Sequence, residues 1–354
     1  MKLELEQYGL CNRFRQEAGM YNGLFIARVC EQHRELYKVI GEEGTLTASV
    51  SGKLAYSTGS QLDFPAVGDW VMIDRTNENN GNAVIHHVLK RKSVFTRLAA
   101  GTANEQQVVA ANIDTVFICM SLNADFNTRR LERYLTIAWD SGATPVIVLT
   151  KADLCENLQE KIDEISAVSI GAEVVACSAE NDRFDSVTAF AAKGKTIAFI
   201  GSSGVGKSTL INRLVGHEAL ATKAIREDDK GRHTTTHRQL LLLPNGCIVI
   251  DTPGMRELQI YTGNLSKTFE DVEAVLGRCK YTDCSHKSEP GCAVREAIEN
   301  GTLSPERYES YMKLQREMAY SGLNSRQMEN EKINRMFGSK NEMKKMMRNI
   351  KNKH

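Results

Sequence analysis

The stretch that decides the fold is Gly201-Ser202-Ser203-Gly204-Val205-Gly206-Lys207-Ser208-Thr209. A short apolar run at residues 196–200 precedes it, and residues 210–214 carry apolar positions at helical spacing. This order predicts a strand, a glycine-rich loop and a helix. Glycines let backbone N–H groups close around phosphate oxygens, and the new helix points its positive end to the same place. We therefore predict a nucleoside triphosphate site, with Lys207 on the outer phosphates and Ser208 on Mg²⁺.

The composition is that of a water-soluble globular chain with room for two or three domains. Of its 354 residues, 42% are hydrophobic and 25% are charged, and no apolar run reaches the ~20 residues of a membrane span. Residues 1–6 are charged and lack the apolar core of a signal peptide. We therefore expect a cytoplasmic location, a monomer and no membrane partner.

The N-terminal part of the chain contains short β-like runs separated by turn residues. These runs are residues 24–30, 35–40, 45–54, 70–74 and 83–89. Their number and length predict a small closed barrel, either an OB-fold or an SH3-like barrel. Such barrels often bind RNA, and Lys53 and residues 90–92 could contact phosphates or form an ordinary solvated surface. Residues 93–112 are polar, and we expect a connector there.

From residue 114 onward, apolar runs alternate with segments of helical periodicity. The predicted strands are residues 114–120, 145–149, 173–177, 196–200, 240–243 and 247–250, with helices at 127–141, 154–169 and around 184–190. This alternation predicts an α/β domain with a mostly parallel sheet covered on both faces. Ligands of such sheets bind beyond the carboxyl ends of the strands.

Two motifs after predicted strands complete a nucleotide site. Asp251-Thr252-Pro253-Gly254 follows one strand, where Asp251 would support Mg²⁺ through its water shell and Gly254 would offer its N–H to the γ-phosphate. The other motifs read the base, because an aspartate accepts hydrogen bonds from the guanine N1–H and amino group, which adenine lacks. They are Thr150-Lys151-Ala152-Asp153, with Thr150 where Asn is commoner, and Cys177-Ser178-Ala179-Glu180, whose backbone N–H would contact guanine O6.

The order of these motifs is unusual. In ordinary GTPases the P-loop comes first and the base-reading motifs come last, whereas here residues 150–153 and 178–179 precede the loop at 201–209. The parts are the same in rotated order, which predicts a circularly permuted GTPase domain. A doubly wound sheet tolerates this because chain termini often lie close together at the surface.

The polar segment 227–238 lies where the first switch loop of a GTPase must be. One of its three threonines, with Thr235 as the candidate, would bind Mg²⁺ and the γ-phosphate. Met255 stands where many GTPases use Gln to orient the attacking water, so we expect slow intrinsic hydrolysis. His233 is the candidate for positioning the water, and His237 is the alternative.

The C-terminal part combines a metal-binding pattern with a basic tail. Cys279, Cys284, His286 and Cys292 form a Cys₃His set, which suits one structural Zn²⁺ per chain. Residues 331–354 contain eight Lys or Arg and two Glu and could lie along RNA phosphates, or remain a solvated tail. We predict an OB-fold barrel at 1–95, a permuted GTPase domain at 96–262, a zinc-binding helical domain at 263–330 and a basic tail at 331–354.

In combination, these motifs resemble the ribosome small-subunit-dependent GTPase A family over residues 23–320. The resemblance implies an OB-fold, a circularly permuted GTPase domain, a zinc domain, and a role in late maturation of the small ribosomal subunit with rRNA contact and subunit-stimulated GTP hydrolysis. It is carried by residues 150–153, 201–208, 231–236, 251–254 and the Cys₃His set, together with Val67-Gly68-Asp69, Asn112-Ile113-Asp114, Arg133-Tyr134-Leu135 and Arg307-Tyr308.

Two alternatives remain open from the residues alone. One is a P-loop ATP-dependent enzyme in which the match at residues 150–153 is accidental. The other is an RNA-binding scaffold of barrel and zinc domain with vestigial hydrolysis. Nucleotide competition separates the first from a GTPase, and replacement of Lys207 separates the second.

Overall fold

The computed structural model describes residues 2–33, 35–79, 81–98, 106–123, 125–178, 184–215, 238–251 and 265–321, and single residues beyond them. The N-terminal elements are α1 (Asn12–Ala18), β1 (Phe25–Gln32), β2 (Tyr37–Gly41), β3 (Gly44–Val50), α2 (Gly52–Ser57), β4 (Trp70–Ile73), β5 (Ala83–Val88), β6 (Val94–Leu98) and β7 (Gln106–Ala111). The central elements are β8 (Thr115–Ser121), α3 (Thr128–Ser141), β9 (Thr144–Thr150), α4 (Leu158–Val168), β10 (Glu173–Ala176), α5 (Asp185–Thr188), β11 (Thr196–Ile200), α6 (Lys207–Val215), β12 (Arg238–Leu242) and β13 (Ile248–Asp251). The C-terminal helices are α7 (Glu270–Leu276), α8 (Ala293–Glu299) and α9 (Pro305–Ser321).

The first five strands close into a barrel in the order β1-β2-β3-β5-β4, with β4 pairing back onto β1. β3 and β5 run parallel, and the other neighbours are antiparallel. Alternate residues of each strand fill the interior, among them Ala27, Val29 and Val39. This closed five-stranded arrangement confirms the predicted barrel and decides for the OB-fold over the SH3-like alternative.

Two N-terminal segments differ from the expectation. Residues 93–112 do not form a simple connector, because β6 and β7 pair as an antiparallel ribbon whose Phe95 and Val109 are buried. The prediction of a connector was therefore wrong. The segment is polar on average, but its apolar residues are buried by contacts with other parts of the chain, which the local sequence does not indicate. Residues 5–18, which showed no clear pattern, form a 3₁₀ turn and α1, and the ring of Phe14 packs 5.8 Å from that of Trp70.

The central sheet has the order β10-β9-β8-β11-β13-β12, parallel except for β12. Neighbouring residues of β8 face opposite sides, since Val116 and Ile118 pack with α3 while Phe117 and Cys119 pack with α6. Both faces are therefore covered, as predicted. β12 also pairs with β1, so the barrel and the central sheet share one continuous hydrogen-bonded ladder.

Helix α3 begins and ends where the sequence predicts. The Asn127 side chain accepts a hydrogen bond from the Arg130 N–H and caps the first turn. Gly142 ends the helix with φ +84°, a left-handed conformation that favours glycine.

A buried arginine joins the barrel to the central sheet. Arg28 of β1 donates to the carbonyl oxygens of Tyr8 and Gly68 and, over 2.9 Å, to the hydroxyl of Thr196 at the start of β11. Its guanidinium lies 5.5 Å from the ring of Trp70. Burial lowers the pKa of Arg28 to about 10, which still leaves it charged at neutral pH.

A second buried arginine joins the C-terminal helices to α3. Arg307 of α9 is 2.6 Å from Glu132, 2.9 Å from Asp271 and 2.6 Å from the Thr268 carbonyl. The hydroxyl of Ser310 also donates to Glu132. These bonds connect α3 and α9 through the buried groups Glu132, Arg307 and Ser310, and they reach α7 through the partly exposed Asp271.

One predicted domain bound cuts through a strand, and another lies where the structure describes no residues. The bound at residues 95 and 96 lies within β6, and the bound at 262 and 263 lies outside the described residues, as does nearly all of the tail at 331–354. Among the helices that the structure describes, none combines the length and apolarity needed to cross a membrane.

Replacing Arg28 by Met tests its role at the barrel–sheet junction. We expect the free energy of unfolding to fall by about 2–3 kcal/mol, because the Tyr8 carbonyl, the Gly68 carbonyl and the Thr196 hydroxyl each lose a charged hydrogen-bond donor. Urea unfolding of the full chain measures it. The control is Arg295→Ala, which removes only an exposed pair with Glu299 and should change the value by less than about 0.5 kcal/mol. Equal stability of the two variants would contradict the prediction.

Candidate functional site

The predicted nucleotide motifs meet at one edge of the central sheet. Parallel strands β8, β9, β11 and β13 all end there, since Ser121 pairs with Thr150 and Ile118 with Ile200. Gly201 directly follows β11, and Asp251 is the last residue of β13. The strand ends thus place the glycine loop beside the segment 150–153. This is the edge at which parallel α/β sheets bind their ligands, beyond the carboxyl ends of the strands.

The backbone of the loop needs glycine at specific positions. Gly201 has φ +143°, and a Cβ there would lie 2.3 Å from the carbonyl oxygen of Cys119. Gly206 has φ +93° and immediately precedes α6. Any larger residue at Gly201 would push the loop away from β8. Glycine is therefore required at the first residue of the loop, where its backbone lies close to Cys119.

The side chain of Lys207 folds over the glycine loop. Its ammonium donates to the carbonyl oxygen of Gly201 over 2.7 Å and to that of Ser202. The following residues, Ser208 and Thr209, lie in the first turn of α6. The helix N-terminus and the Lys207 ammonium therefore put positive charge at the same place, which suits a phosphate chain.

Thr150 connects the base-reading segment to the glycine loop. Its hydroxyl donates to the carbonyl oxygen of Val205 over 2.7 Å, and the side chain is buried. From the sequence, Thr150 in place of the commoner Asn put one purine contact in question but not the choice of guanine. In the structure, this hydroxyl ties residues 150–153 to the loop at 201–209.

Ser178 contacts Asp153 directly. The Ser178 hydroxyl donates to the Asp153 carboxylate, and the Ala152 N–H donates to the Cys177 carbonyl over 3.2 Å. Lys151 adopts φ +58°, a left-handed conformation at the sharp turn after β9. The sequence predicted only a backbone contact near residues 178–179, and it missed that the Ser178 side chain would orient Asp153.

Several predicted site residues lie outside the described part of the chain. They are Ala179, His233, Thr235 and His237, together with Thr252, Pro253, Gly254 and Met255. Their predicted roles stay predictions. Ser203 and Gly204 lie in the described loop, between the contacts of Ser202 and Val205.

Arg130 also contacts the loop, although the sequence did not single it out. Its guanidinium bonds to the hydroxyl of Ser202 and to the carboxylate of Asp125. The residue belongs to the first turn of α3, so the fold brings it to the loop across a separation of 72 residues. The paired arginines at 129 and 130 were the only signal in the sequence.

The Cys₃His set comes together as predicted. The ligand atoms of Cys279, Cys284, His286 and Cys292 all lie within 4.8 Å of one another. The His286 Nδ1 is 3.6 Å from the Cys279 Sγ and 3.5 Å from the Cys292 Sγ. Around a tetrahedral zinc ion, S and N ligand atoms stand roughly 3.5–3.8 Å apart. The four groups therefore fit a metal ion of zinc type with a closed ligand shell.

The local backbone supports this cluster. His286 has φ +59°, which turns the chain between the cysteines, and its ring meets that of Tyr308 edge-on at 6.1 Å. Cys292 precedes α8. Burial opposes its thiolate, but hydrogen bonds from the Arg295 N–H, the Cys284 thiol, the Val294 N–H and the Cys279 thiol together lower the Cys292 pKa. A lowered pKa favours the thiolate form that binds metals.

Metal analysis of the full chain tests the cluster. We expect about one bound metal ion per chain, and Cys284→Ser should reduce the content well below one because it removes one of four ligands. Cys155→Ser, a cysteine outside the cluster, is the control and should retain the metal. Equal metal content in both variants would contradict the assignment.

The comparisons with known proteins cover the site and most of the chain. The family profile described as RsgA GTPase matches residues 88–261. A protein named small ribosomal subunit biogenesis GTPase RsgA 2, from Lactiplantibacillus plantarum, is 55% identical over 350 residues, which are 98% of either chain. A protein of the same name from Listeria monocytogenes is 47% identical and covers 90% of either chain.

Solved structures agree with the fold. YjeQ from Thermotoga maritima matches with a TM-score of 0.62 and 28% identity over 84% of this chain and 99% of that chain. YloQ, titled a circularly permuted GTPase, matches with a TM-score of 0.59 and 25% identity over 84% of this chain and 96% of that chain. Numbered from β11, the central sheet reads 6-5-4-1-3-2, so the permutation leaves the doubly wound order intact. On this identity and coverage, the chain belongs to the RsgA GTPase family, with a circularly permuted GTPase domain.

Proposed function

We propose that this GTPase binds GTP at the loop 201–209 and acts on the small ribosomal subunit during its maturation. The observation that carries the nucleotide assignment is the bond from Thr150 to the Val205 carbonyl, because it attaches the guanine-reading segment to the phosphate-binding loop. The name of the relatives, which specifies small ribosomal subunit biogenesis, supports the partner.

Each predicted residue has a role in this proposal. Asp153, oriented by Ser178, accepts from the guanine N1–H and amino group, while Lys151 lies along the base and the backbone N–H of Ala179 contacts guanine O6. Ala152 lies in the same segment, between Lys151 and Asp153. Lys207 binds the outer phosphates. Ser208 and Thr235 hold Mg²⁺, with Asp251 acting through water, and Gly254 donates to the γ-phosphate. When bound, Mg²⁺ offsets charge on the β- and γ-phosphates.

Hydrolysis in this proposal is slow until the subunit is bound. The Met255 side chain has no strong hydrogen-bonding group to orient water, and His233 supplies that function in the subunit complex. Because the base-reading motifs are already joined to the loop by Thr150, GTP binding itself needs no partner.

The remaining parts serve the ribosomal partner. We propose that the OB-fold barrel at 1–95 and the tail at 331–354 contact rRNA, and that the domain at 263–330 holds one structural Zn²⁺ in the Cys₃His cluster. The GTPase domain occupies 96–262. We propose that the chain works in the cytoplasm and that it does so as a monomer.

GTP turnover with and without purified small ribosomal subunits tests the proposal. We expect low basal turnover and an increase of at least about tenfold with subunits, because the partner supplies transition-state positioning that Met255 cannot. Lys207→Ala should abolish the stimulated rate. Turnover that is unchanged by small subunits would contradict the proposed partner.

Replacing Asp153 by Asn tests the base assignment. The Asn amide nitrogen cannot accept from the guanine N1–H, so we expect the affinity for GDP to fall by about tenfold or more. The same amide can donate to the 2-oxo group of xanthine, so xanthosine diphosphate should bind the variant better than the wild type. Fluorescent nucleotide displacement measures both.

The wild type supplies the reference for that measurement. GDP should displace the bound fluorescent guanine nucleotide, and ADP should not. Displacement by ADP at equal concentration would favour an ATP-dependent enzyme over a GTPase.

A further inference from the structure

The loop between β8 and α3 is held by its own polar side chains. The amide oxygen of Asn123 accepts from the Ser121 hydroxyl over 2.7 Å and from the Asp125 N–H over 3.1 Å. Asn127 then caps the first turn of α3 through the Arg130 N–H at 2.9 Å. These bonds place Asp125 and Arg130 next to each other independently of the glycine loop.

Arg130 reaches from this loop to the P-loop. One guanidinium nitrogen, Nη1, bonds both to Oδ1 of Asp125 and to the Ser202 hydroxyl. Oδ2 of Asp125 is buried and has no donor within the described ranges. The Asp125 carboxylate balances the charge of Arg130, so the guanidinium acts as a fixed hydrogen-bond donor to the loop more than as a free cation.

Ser202 is held from two sides. Its hydroxyl bonds to Arg130, and its carbonyl oxygen accepts from the Lys207 ammonium, which also donates to the Gly201 carbonyl. A continuous chain of contacts therefore runs from Asp125 through Arg130 and Ser202 to Lys207. Any movement of Ser202 moves one of the two carbonyls that direct the Lys207 ammonium.

The contact with the P-loop distinguishes Arg130 from its neighbours on α3. Arg129 pairs with Glu309 at 2.9 Å and Arg133 with Glu317 at 2.8 Å, and both of these acids belong to α9. These pairs hold the C-terminal helix. Arg130 projects to the other side, where its partner belongs to the nucleotide-binding loop.

We propose that Arg130 is a positioning residue for GTP hydrolysis, which acts through Ser202 on the orientation of Lys207. The inference rests on the proposed GTP site and adds a residue from outside its recognised motifs. Lys207 contacts the outer phosphates, where charge develops during transfer, so a small displacement of its ammonium affects the transition state more than ground-state binding.

Steady-state GTP hydrolysis by the full chain tests the proposal. We expect Arg130→Ala to lower kcat by about tenfold, with KM for GTP within about threefold of the wild type. Arg130→Lys, which keeps a charged donor, should recover part of the loss. The matched control is Arg129→Ala, one position away on α3, which removes an exposed pair and should leave kcat unchanged.

A double-mutant cycle separates positioning from a general structural effect. Ser202→Ala removes only the hydroxyl that Arg130 contacts, and it should lower kcat by about as much as Arg130→Ala. If both act through one contact, the Arg130→Ala/Ser202→Ala variant should be no slower than the slower single variant. Losses that multiply would overturn the proposal, as would a normal kcat in Ser202→Ala.

The outcomes also separate this inference from the proposed function. If the wild type hydrolyses no GTP even with small ribosomal subunits present, the proposed function fails. If the wild type is active and Arg130→Ala matches Arg129→Ala, only the inference fails. Should Arg130→Ala not fold, as judged by thermal unfolding against Arg129→Ala, the kcat of Ser202→Ala decides: a tenfold loss supports the proposal and an unchanged value overturns it.

Discussion

The pairing of the buried strand β11 with its two neighbours holds the barrel, the central sheet and the nucleotide-binding loop in place. All five of its residues are buried, and it pairs with β8 on one side and β13 on the other. At its first residue, Thr196, the hydroxyl accepts from Arg28 of the barrel and the backbone N–H donates to Asp114. Directly after its last residue, Gly201 starts the nucleotide-binding loop. One strand, about 17 Å long, thus joins the barrel anchor to the phosphate site.

Helix α3 extends this constraint to the C-terminal helices. Glu132 is buried against Arg307, and removal of Arg307 would leave the Glu132 carboxylate buried without a cation beside it. The same helix contacts the nucleotide-binding loop through Arg130. The C-terminal helices and the nucleotide-binding loop are therefore attached to one rigid element, although residues 129–133 come long before either in the chain.

Local patterns predicted most of the fold. The barrel strands, the parallel strands and the limits of α3 follow from alternation, apolar runs, the Asn127 cap and the terminal Gly142, all of which act within a few residues. Where burial depends on distant partners, prediction failed. Phe14 is one apolar residue in a polar segment, and it is buried against Trp70, which is distant in the chain. The β6–β7 ribbon was missed for the same reason.

From the sequence alone we predicted the chemistry and the order of the motifs: a phosphate loop, a guanine-reading segment placed before it, and four metal ligands at zinc-like spacing. Tertiary structure decided which side chains hold these motifs in place. The hydroxyl of Thr150 reaches Val205, and Arg130 reaches Ser202, across 55 and 72 residues of chain. The spacing of residues along one strand or helix sets which face they share, but a hydrogen bond of about 3 Å between two loops depends on how the whole sheet brings its strand ends together.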